Sequence, residues 1–203
     1  MNDLRICFVG DSFVNGTGDR DGLGWAGRIC RSARARGVAI TRYDLGVRRD
    51  TSAQILRRCA AEVSARLAGV ACEGRVVFSF GANDAMLEAG RRRVELADTL
   101  AHTDALLTWS RQRHPTLLVG PPPLVDDAEA DARLIEIVMG LQRVCDAHGV
   151  PFLDLHQPLA EDPTWRAEAL AGDGAHPDAC GYARAAVLIE GWEPWREWTA
   201  GGG

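Results

Sequence analysis

The chain contains no lysine: all 23 of its basic residues are arginine. That excludes Schiff-base catalysis and the lysine grip of a phosphate-binding loop. No run of about 18 apolar residues exists, so no membrane-spanning helix and no stable membrane association are expected. No basic segment followed by an apolar one leads into the first strand-like run, and the expected location is cytoplasmic. None of the six cysteines forms a C-x-x-C pair, so neither a disulfide framework nor a metal site is expected. Cys7, Cys30, Cys59, Cys145 and Cys180 lie in apolar or helical patterns and read as small hydrophobes, whereas Cys72 sits in a polar turn. There is no excess of positive charge; the formal net charge is −5, which leaves no global field to hold nucleic acid. A Gly-x-Ser-x-Gly elbow is also missing, and with it the mark of the α/β-hydrolases.

What the sequence does hold is an ordinary globular composition, 46% hydrophobic and 25% charged over 203 residues. That length suits one domain spanning 1–203 with a sizeable core. Strand and helix patterns alternate. Leu4 to Val9 is a short apolar run ended by Gly10. A Gly-rich loop leads to Gly24 and a helix from about Trp25 to Arg36, stopped by Gly37. Val38 to Tyr43 reads as a second strand. Asp50 or Thr51 caps the next helix, whose apolar face is Ala53, Leu56, Cys59-Ala60, Val63 and Leu67. Arg75 to Phe80 is a third strand, Val94 to Arg113 a long helix, and Thr116 to Val119 a fourth strand. Gly120-Pro121-Pro122-Pro123 cannot continue in a sheet and reads either as a cleft wall or as a simple rigid loop. Asp126 to His148 is helical, Val150 to Leu155 is a fifth strand, and a loop carrying Pro158 and Pro163 precedes a last helix from Asp178 to Ile189. Residues 191–203 read as a peripheral or frayed tail. Such a series favours a parallel sheet covered on both faces.

In an open parallel sheet, ligands bind outside the carboxyl ends of the strands. Ser12 falls just after the first strand, Gly46 after the second and Asn83 after the third, so all three are expected on one rim. Asp173-Gly174-Ala175-His176-Pro177 sets a carboxylate and an imidazole three residues apart. A serine nucleophile needs a base, a carboxylate to orient that base, and donors where an oxyanion forms. His176 and Asp173 can supply the first two. The backbone N–H groups of Ser12 and Gly46 and the Asn83 amide can supply the donors. Asp11 reads as a structural hydrogen-bonding residue beside Ser12, and Asp84 as a brace for the Asn83 loop. Gly16-x-Gly18 is a poor dinucleotide loop: its third glycine is Gly22, one residue late, and Asp11, Asp19 and Asp21 repel phosphate. His102, His114, His148 and His156 lack metal-ligand spacing and read as structural.

Four blocks, Gly10-Asp11-Ser12, Leu45-Gly46-Val47, Gly81-Ala82-Asn83-Asp84 and Asp173-Gly174-Ala175-His176-Pro177, occur in the order found in the GDSL or SGNH hydrolases. From Gly10 to about Tyr182 the chain resembles that family. The resemblance implies a flavodoxin-like α/β/α sandwich with a central five-stranded parallel sheet. It implies Ser12 as nucleophile, His176 as base, Asp173 as orienting acid, and Ser12, Gly46 and Asn83 as oxyanion hole. It also implies esterase, thioesterase or lysophospholipase-type activity without metal or cofactor. Two positions depart from the pattern. Phe13 stands where the name motif has Leu. Arg48-Arg49 precedes Asp50-Thr51 where the family often has Gly at the second position, which bears on the turn after Gly46 and sets a cation pair near the cleft, unless that pair is merely solvated.

The expectation is therefore a serine hydrolase of small acyl esters or thioesters, its partner a small-molecule substrate. A carbohydrate O-deacetylase or an acyltransferase would carry the same residues, because loop shape chooses the acceptor. A non-catalytic binding module would be expected to have lost Ser12, His176 or Asn83, and all three are present. The charged loops Asn15 to Gly24, Ala85 to Arg93 and Gln157 to Gly172 are poor membrane-facing lids. Phe13, Met86, Leu87, Leu124 and Trp165 are candidates to line a modest apolar pocket. Trp192, Trp195 and Trp198 either form a surface patch or cover the core.

Overall fold

A computed structural model describes residues 4–68 and 72–200; Met1-Asn2-Asp3 and the closing glycines 201–203 lie outside the described residues. The strands are β1 (Leu4–Gly10), β2 (Ile40–Gly46), β3 (Glu73–Ser79), the short pair β4 (Leu87–Glu88) and β5 (Arg91–Arg92), β6 (Thr116–Val119) and β7 (Phe152–Leu153). Five of them form a parallel sheet in the order β2-β1-β3-β6-β7, while β4 and β5 pair antiparallel as a separate hairpin. In β1, Ile6, Cys7, Phe8 and Val9 are all fully buried. A continuous apolar run of this kind is what a strand covered on both faces requires.

The helices are α1 (Ser12–Asn15), α2 (Gly24–Ala35), α3 (Ser52–Leu67), α4 (Ala82–Ala85), α5 (Leu96–Arg111), α6 (Ala128–His148), α7 (His156–Glu161), α8 (Pro163–Ala171), α9 (Ala179–Gly191) and α10 (Glu193–Trp198). The chain leaves β1 toward one edge of the sheet through α2, then crosses back to β3 through α3 and continues outward through α5 and α6. Right-handed crossovers in opposite directions put their helices on opposite faces. Accordingly α2 packs with α9, which also holds α8 and α10, while α5 packs with α3 on one side and α6 on the other. The reversal of direction falls beside β1. That is the switch point where an open sheet leaves a crevice.

Several sequence expectations are corrected. β2 does not stop at Tyr43. Its pairing with β1 runs on to Gly10↔Gly46, so Gly46 closes the strand and does not follow it. The buried face of α3 is Ser52, Ile55, Cys59, Val63 and Leu67: Cys59, Val63 and Leu67 face the core as expected, while in the first two turns Ser52 and Ile55 take the place of Ala53 and Leu56. The Pro158–Pro163 segment is two helices, not a loop. Pro158 lies in the first turn of α7 and Pro163 opens α8 behind the Asp162 cap, positions whose N–H has no helical acceptor anyway. Cys180, expected to behave as a small hydrophobe, is exposed. The tail is also part of the fold through residue 200. Trp195 on α10 is 1% exposed and lies 6.3 Å from the Phe8 ring, with Trp192 and Trp198 packed against the same core. Among the described residues, no helix is long and apolar enough to cross a membrane.

Candidate active site

β1 ends where a side chain has no room. A Cβ on Gly10 would lie 1.9 Å from the Ser79 carbonyl oxygen. The chain then turns into α1, with Asp11 as cap: its Oδ1 accepts the Phe13 N–H at 3.0 Å. Ser12 is the first helical residue and is 4% exposed. Gly16, at φ 77°, ends the helix. The following loop is closed by Asp19, whose carboxylate accepts the Asp21, Leu23 and Gly24 N–H groups and pairs with the buried Arg28. With its donors spent on Asp19, this loop is no phosphate cradle. Tyr182 locks it further by donating its hydroxyl to the Thr17 carbonyl at 2.8 Å.

The loop after α8 carries Asp173 and His176. Asp173 Oδ1 accepts the backbone N–H of Ala175 at 3.2 Å and of His176 at 2.9 Å, folding the loop back on itself. The same carboxylate meets His176 Nδ1, at 2.8 Å through Oδ2 and 3.1 Å through Oδ1. An ionised carboxylate only accepts, so Nδ1 carries the proton and Nε2 is left as an acceptor. His176 Nε2 lies 2.7 Å from Ser12 Oγ. Phe13 fixes the plane of the imidazole from one side, with ring centroids 4.8 Å apart, and is itself backed by Trp165 at 6.2 Å. Burial pushes the Asp173 carboxyl up. The backbone N–H and ring of His176 outweigh it and hold the carboxyl below its ordinary value. Arg48 stands 3.6 Å away on the solvent side.

Asn83 comes from α4, two residues past the tight turn at Gly81 (φ 125°). Its Nδ2 points at Asp11 Oδ2, 3.4 Å away, and its Oδ1 accepts from the Arg93 guanidinium at 3.2 Å. The neighbouring Asp84 is fully buried and braces this turn, accepting the Ser52 N–H at 2.9 Å and the Thr99 hydroxyl at 2.8 Å. Asp11 is also buried, and loss of solvent raises its carboxyl to about 7, against the Phe13 N–H, which lowers it.

Ser12, Asn83, Asp173 and His176 thus line one cleft of about 430 Å³, together with Phe13, Met86, Leu87 and Leu124. Gly46 is not among its walls. It ends β2, its N–H donates to Asp44 Oδ1 at 3.0 Å, and a Cβ there would run into the Asn15 and Asp11 backbone. Its N–H is therefore not available to a substrate oxygen. Arg49 lines the cleft instead, three residues further on and at φ 70°. The Arg48-Arg49 departure was the signal that this turn differs. Trp165 is buried behind Phe13 and does not reach the cleft, and of the Gly120–Leu124 stretch only Leu124 does. Among the other histidines, His156 Nε2 meets Asp131 at 2.9 Å, His148 Nε2 meets Asp104 at 2.7 Å and His102 Nδ1 meets Ser52 Oγ at 2.9 Å. Among the described residues, no group of three or more His, Cys, Asp or Glu side chains stands close enough to hold a metal ion.

Residues 8–184 match the family model of the GDSL-like lipase/acylhydrolases. The lipase/acylhydrolase from Enterococcus faecalis is 28% identical and superposes with a TM-score of 0.74, covering 98% of this chain and 96% of that one. Axe2, an acetylxylan esterase from Geobacillus stearothermophilus, shares the fold at 18% identity and TM-score 0.77, covering 94% and 95% of the two chains. The psychrotrophic esterase EstA from Pseudoalteromonas sp. does so at 17% and 0.70, covering 91% and 93%. No curated protein sequence gives a significant match. The five-stranded sheet, the cleft at its switch point and the match over residues 8–184 agree: the chain belongs to the GDSL-like lipase/acylhydrolase family and is an ester-hydrolysing enzyme.

Proposed function

We propose that the enzyme cleaves small, soluble acyl esters through a covalent acyl-Ser12 intermediate. The observation that carries this reading is the unbroken hydrogen-bond chain from Asp173 through His176 to Ser12 Oγ. His176 Nε2 takes the hydroxyl proton as Ser12 Oγ attacks the ester carbonyl carbon. Asp173 holds the productive tautomer and stabilises the imidazolium that forms. The carbonyl oxygen becomes an oxyanion, met by the Ser12 N–H and the Asn83 amide. The Arg49 N–H takes the place expected of Gly46: among the described residues it has no hydrogen-bond partner, and Arg49 lines the cleft. Nε2 then returns the proton to the leaving alkoxide. A water molecule, deprotonated by the same nitrogen, releases the acyl group.

The cleft volume falls within the range of small-ligand sites, about 300–1,000 Å³. Its rim carries Arg48, Arg49, Glu88, Asp126 and Asp127. These charged and hydrogen-bonding groups favour a second reading, removal of acetyl groups from a polyhydroxylated alcohol such as a sugar. The chemistry would be identical and only the leaving group would differ. A fluorophosphonate probe with intact-mass readout tests the shared core: one adduct on the wild type and none on Ser12→Ala. An equal adduct on Ser12→Ala overturns the proposal. A panel of p-nitrophenyl esters beside an acetylated oligosaccharide then separates the two leaving groups.

A further inference from the structure

We infer that Arg93 is a positioning residue that orients and polarises the Asn83 amide and anchors the backbone at Arg49, and so holds two of the oxyanion donors in place; this rests on the reading of Ser12 and Asn83 proposed above. Arg93 follows the β4–β5 hairpin, and its N–H donates to the Met86 carbonyl at 2.9 Å, closing it. From there the half-buried side chain forks. Nη1 donates to Asn83 Oδ1 at 3.2 Å and Nη2 to the Arg49 carbonyl at 3.0 Å.

The fork settles an ambiguity that Asn83 could not settle itself. The two ends of a side-chain amide are nearly the same shape, and a flipped amide would offer an oxygen to the oxyanion. A guanidinium can only donate. Arg93 therefore admits one orientation, with Oδ1 toward Arg93 and Nδ2 toward Asp11 and the cleft. Among the described residues the Arg93 guanidinium is bonded to these two oxygens and forms no ion pair with a carboxylate. Drawing on Oδ1, it makes the Nδ2 protons stronger donors. The second arm meets Arg49 at φ 70°, a conformation that L-residues seldom adopt without support. One side chain thereby ties together two segments of the cleft that are remote in sequence.

The test is kinetic, on a soluble p-nitrophenyl ester. Arg93→Ala is expected to lower kcat by about 10- to 100-fold, the scale of a misplaced catalytic group, with KM within about threefold because the donors serve the oxyanion. Guanidinium ions at millimolar concentration are expected to restore part of the lost kcat. In Asn83→Ala/Arg93→Ala the combined loss is expected to fall short of the product of the single losses, because Arg93 acts partly through Asn83. A near-wild-type Arg93→Ala, an effect confined to KM, or fully multiplicative losses would each overturn the inference. Should Arg93→Ala fail to fold, Arg93→Lys decides alone. One ammonium cannot reproduce the fork, so reduced kcat at unchanged KM supports the inference and wild-type kcat overturns it. Ser12→Ala in the same assay keeps the two readings apart. A dead Ser12→Ala beside a silent Arg93 variant overturns only the role of Arg93. An active Ser12→Ala overturns the reading of the site and this inference with it.

Discussion

Ser12 Oγ and His176 Nε2 lie 2.7 Å apart although 164 residues separate them in the chain. The distance is set from both ends. Ser12 is fixed by the Asp11 cap and the close approach of Gly10 to Ser79, and His176 by the turn that Asp173 closes. Neither anchor uses the Ser–His contact itself, so the pair is preorganised for proton transfer.

Ser12→Ala and His176→Ala are each expected to lower kcat by several orders of magnitude. Members of such a chain act as a unit, so the double variant is expected to be hardly slower than either single. Steady-state kinetics on one activated ester checks this. Multiplicative losses would mean that the two residues serve different steps.

Asp173→Asn is expected to keep the fold and lose on the order of 10⁴ in kcat, the cost found where a neutral amide leaves a catalytic histidine in the wrong tautomer. Asp173 also receives two backbone N–H groups, and asparagine can accept these as well, so the loop geometry should survive. Circular dichroism confirms the fold, and a kcat near wild type would assign the orientation of His176 to another group.

Gly46→Ala separates packing from catalysis. Its Cβ would sit 2.3 Å from the Asn15 nitrogen and 2.8 Å from the Asp11 oxygen. Both are backbone atoms that cannot swing aside. Overpacking of this kind costs about 1–3 kcal/mol, and each kcal/mol lowers Tm by about 2–4 °C in a chain of this size. A lowered Tm together with a displaced α1 and reduced kcat is expected; an unchanged Tm would contradict the tight packing of β2 on α1.

The same position shows what a sequence reading reaches and where it stops. Ser12, Asn83, Asp173 and His176 were legible because each sits in a short block whose local chemistry is visible, and because parallel strand ends share a rim. Gly46 was misplaced because β2 is an edge strand. Its Thr41, Arg42 and Tyr43 are only half buried and Asp44 is exposed, so the strand outlasts the apolar run that marks it. Arg93 was read within a charged Arg91-Arg92-Arg93 loop, since nothing local tells a solvated arginine from one aimed at partners 10 and 44 residues away. α7 and α8 were hidden because proline signals a loop except at a helix start.

Asp11→Asn is expected to change how stability depends on pH. Burial raises the Asp11 carboxyl from 3.8 to about 7 in the folded chain. Between those values the folded state holds a proton that the unfolded state has released. Wild-type stability therefore loses ground as the pH rises from about 4 to 7, and the loss levels off above that. Asparagine can still cap α1 and carries no charge to bury. The stability of Asp11→Asn relative to wild type should climb across this window, on the order of 1.4 kcal/mol at most for each pH unit crossed. Urea denaturation of both proteins from pH 4 to 8 measures the difference, in which groups common to both cancel. A difference that is flat with pH would mean that Asp11 is ionised throughout.

Chain-length preference tests how the cleft meets its substrate. A lipase acting on aggregated lipid needs an apolar surface beside its mouth. Here the apolar lining is Phe13, Met86, Leu87 and Leu124, with Leu87 exposed, and it is interspersed with the charged Arg48, Arg49, Glu88, Asp126 and Asp127. Laying that surface on lipid would desolvate charges without pairing them. The tryptophans at the end of the chain offer no alternative interface, because Trp195 is buried on Phe8 and Trp192 and Trp198 pack on the same core. A cavity of about 430 Å³ also limits the acyl chain it can enclose. With p-nitrophenyl esters of increasing length, kcat/KM is expected to peak at short or medium chains. For the longest ester, rate against concentration should pass through the micellar transition without a jump. A sharp rise at that transition would show that the charged rim moves aside at an interface and that aggregated lipid is the substrate.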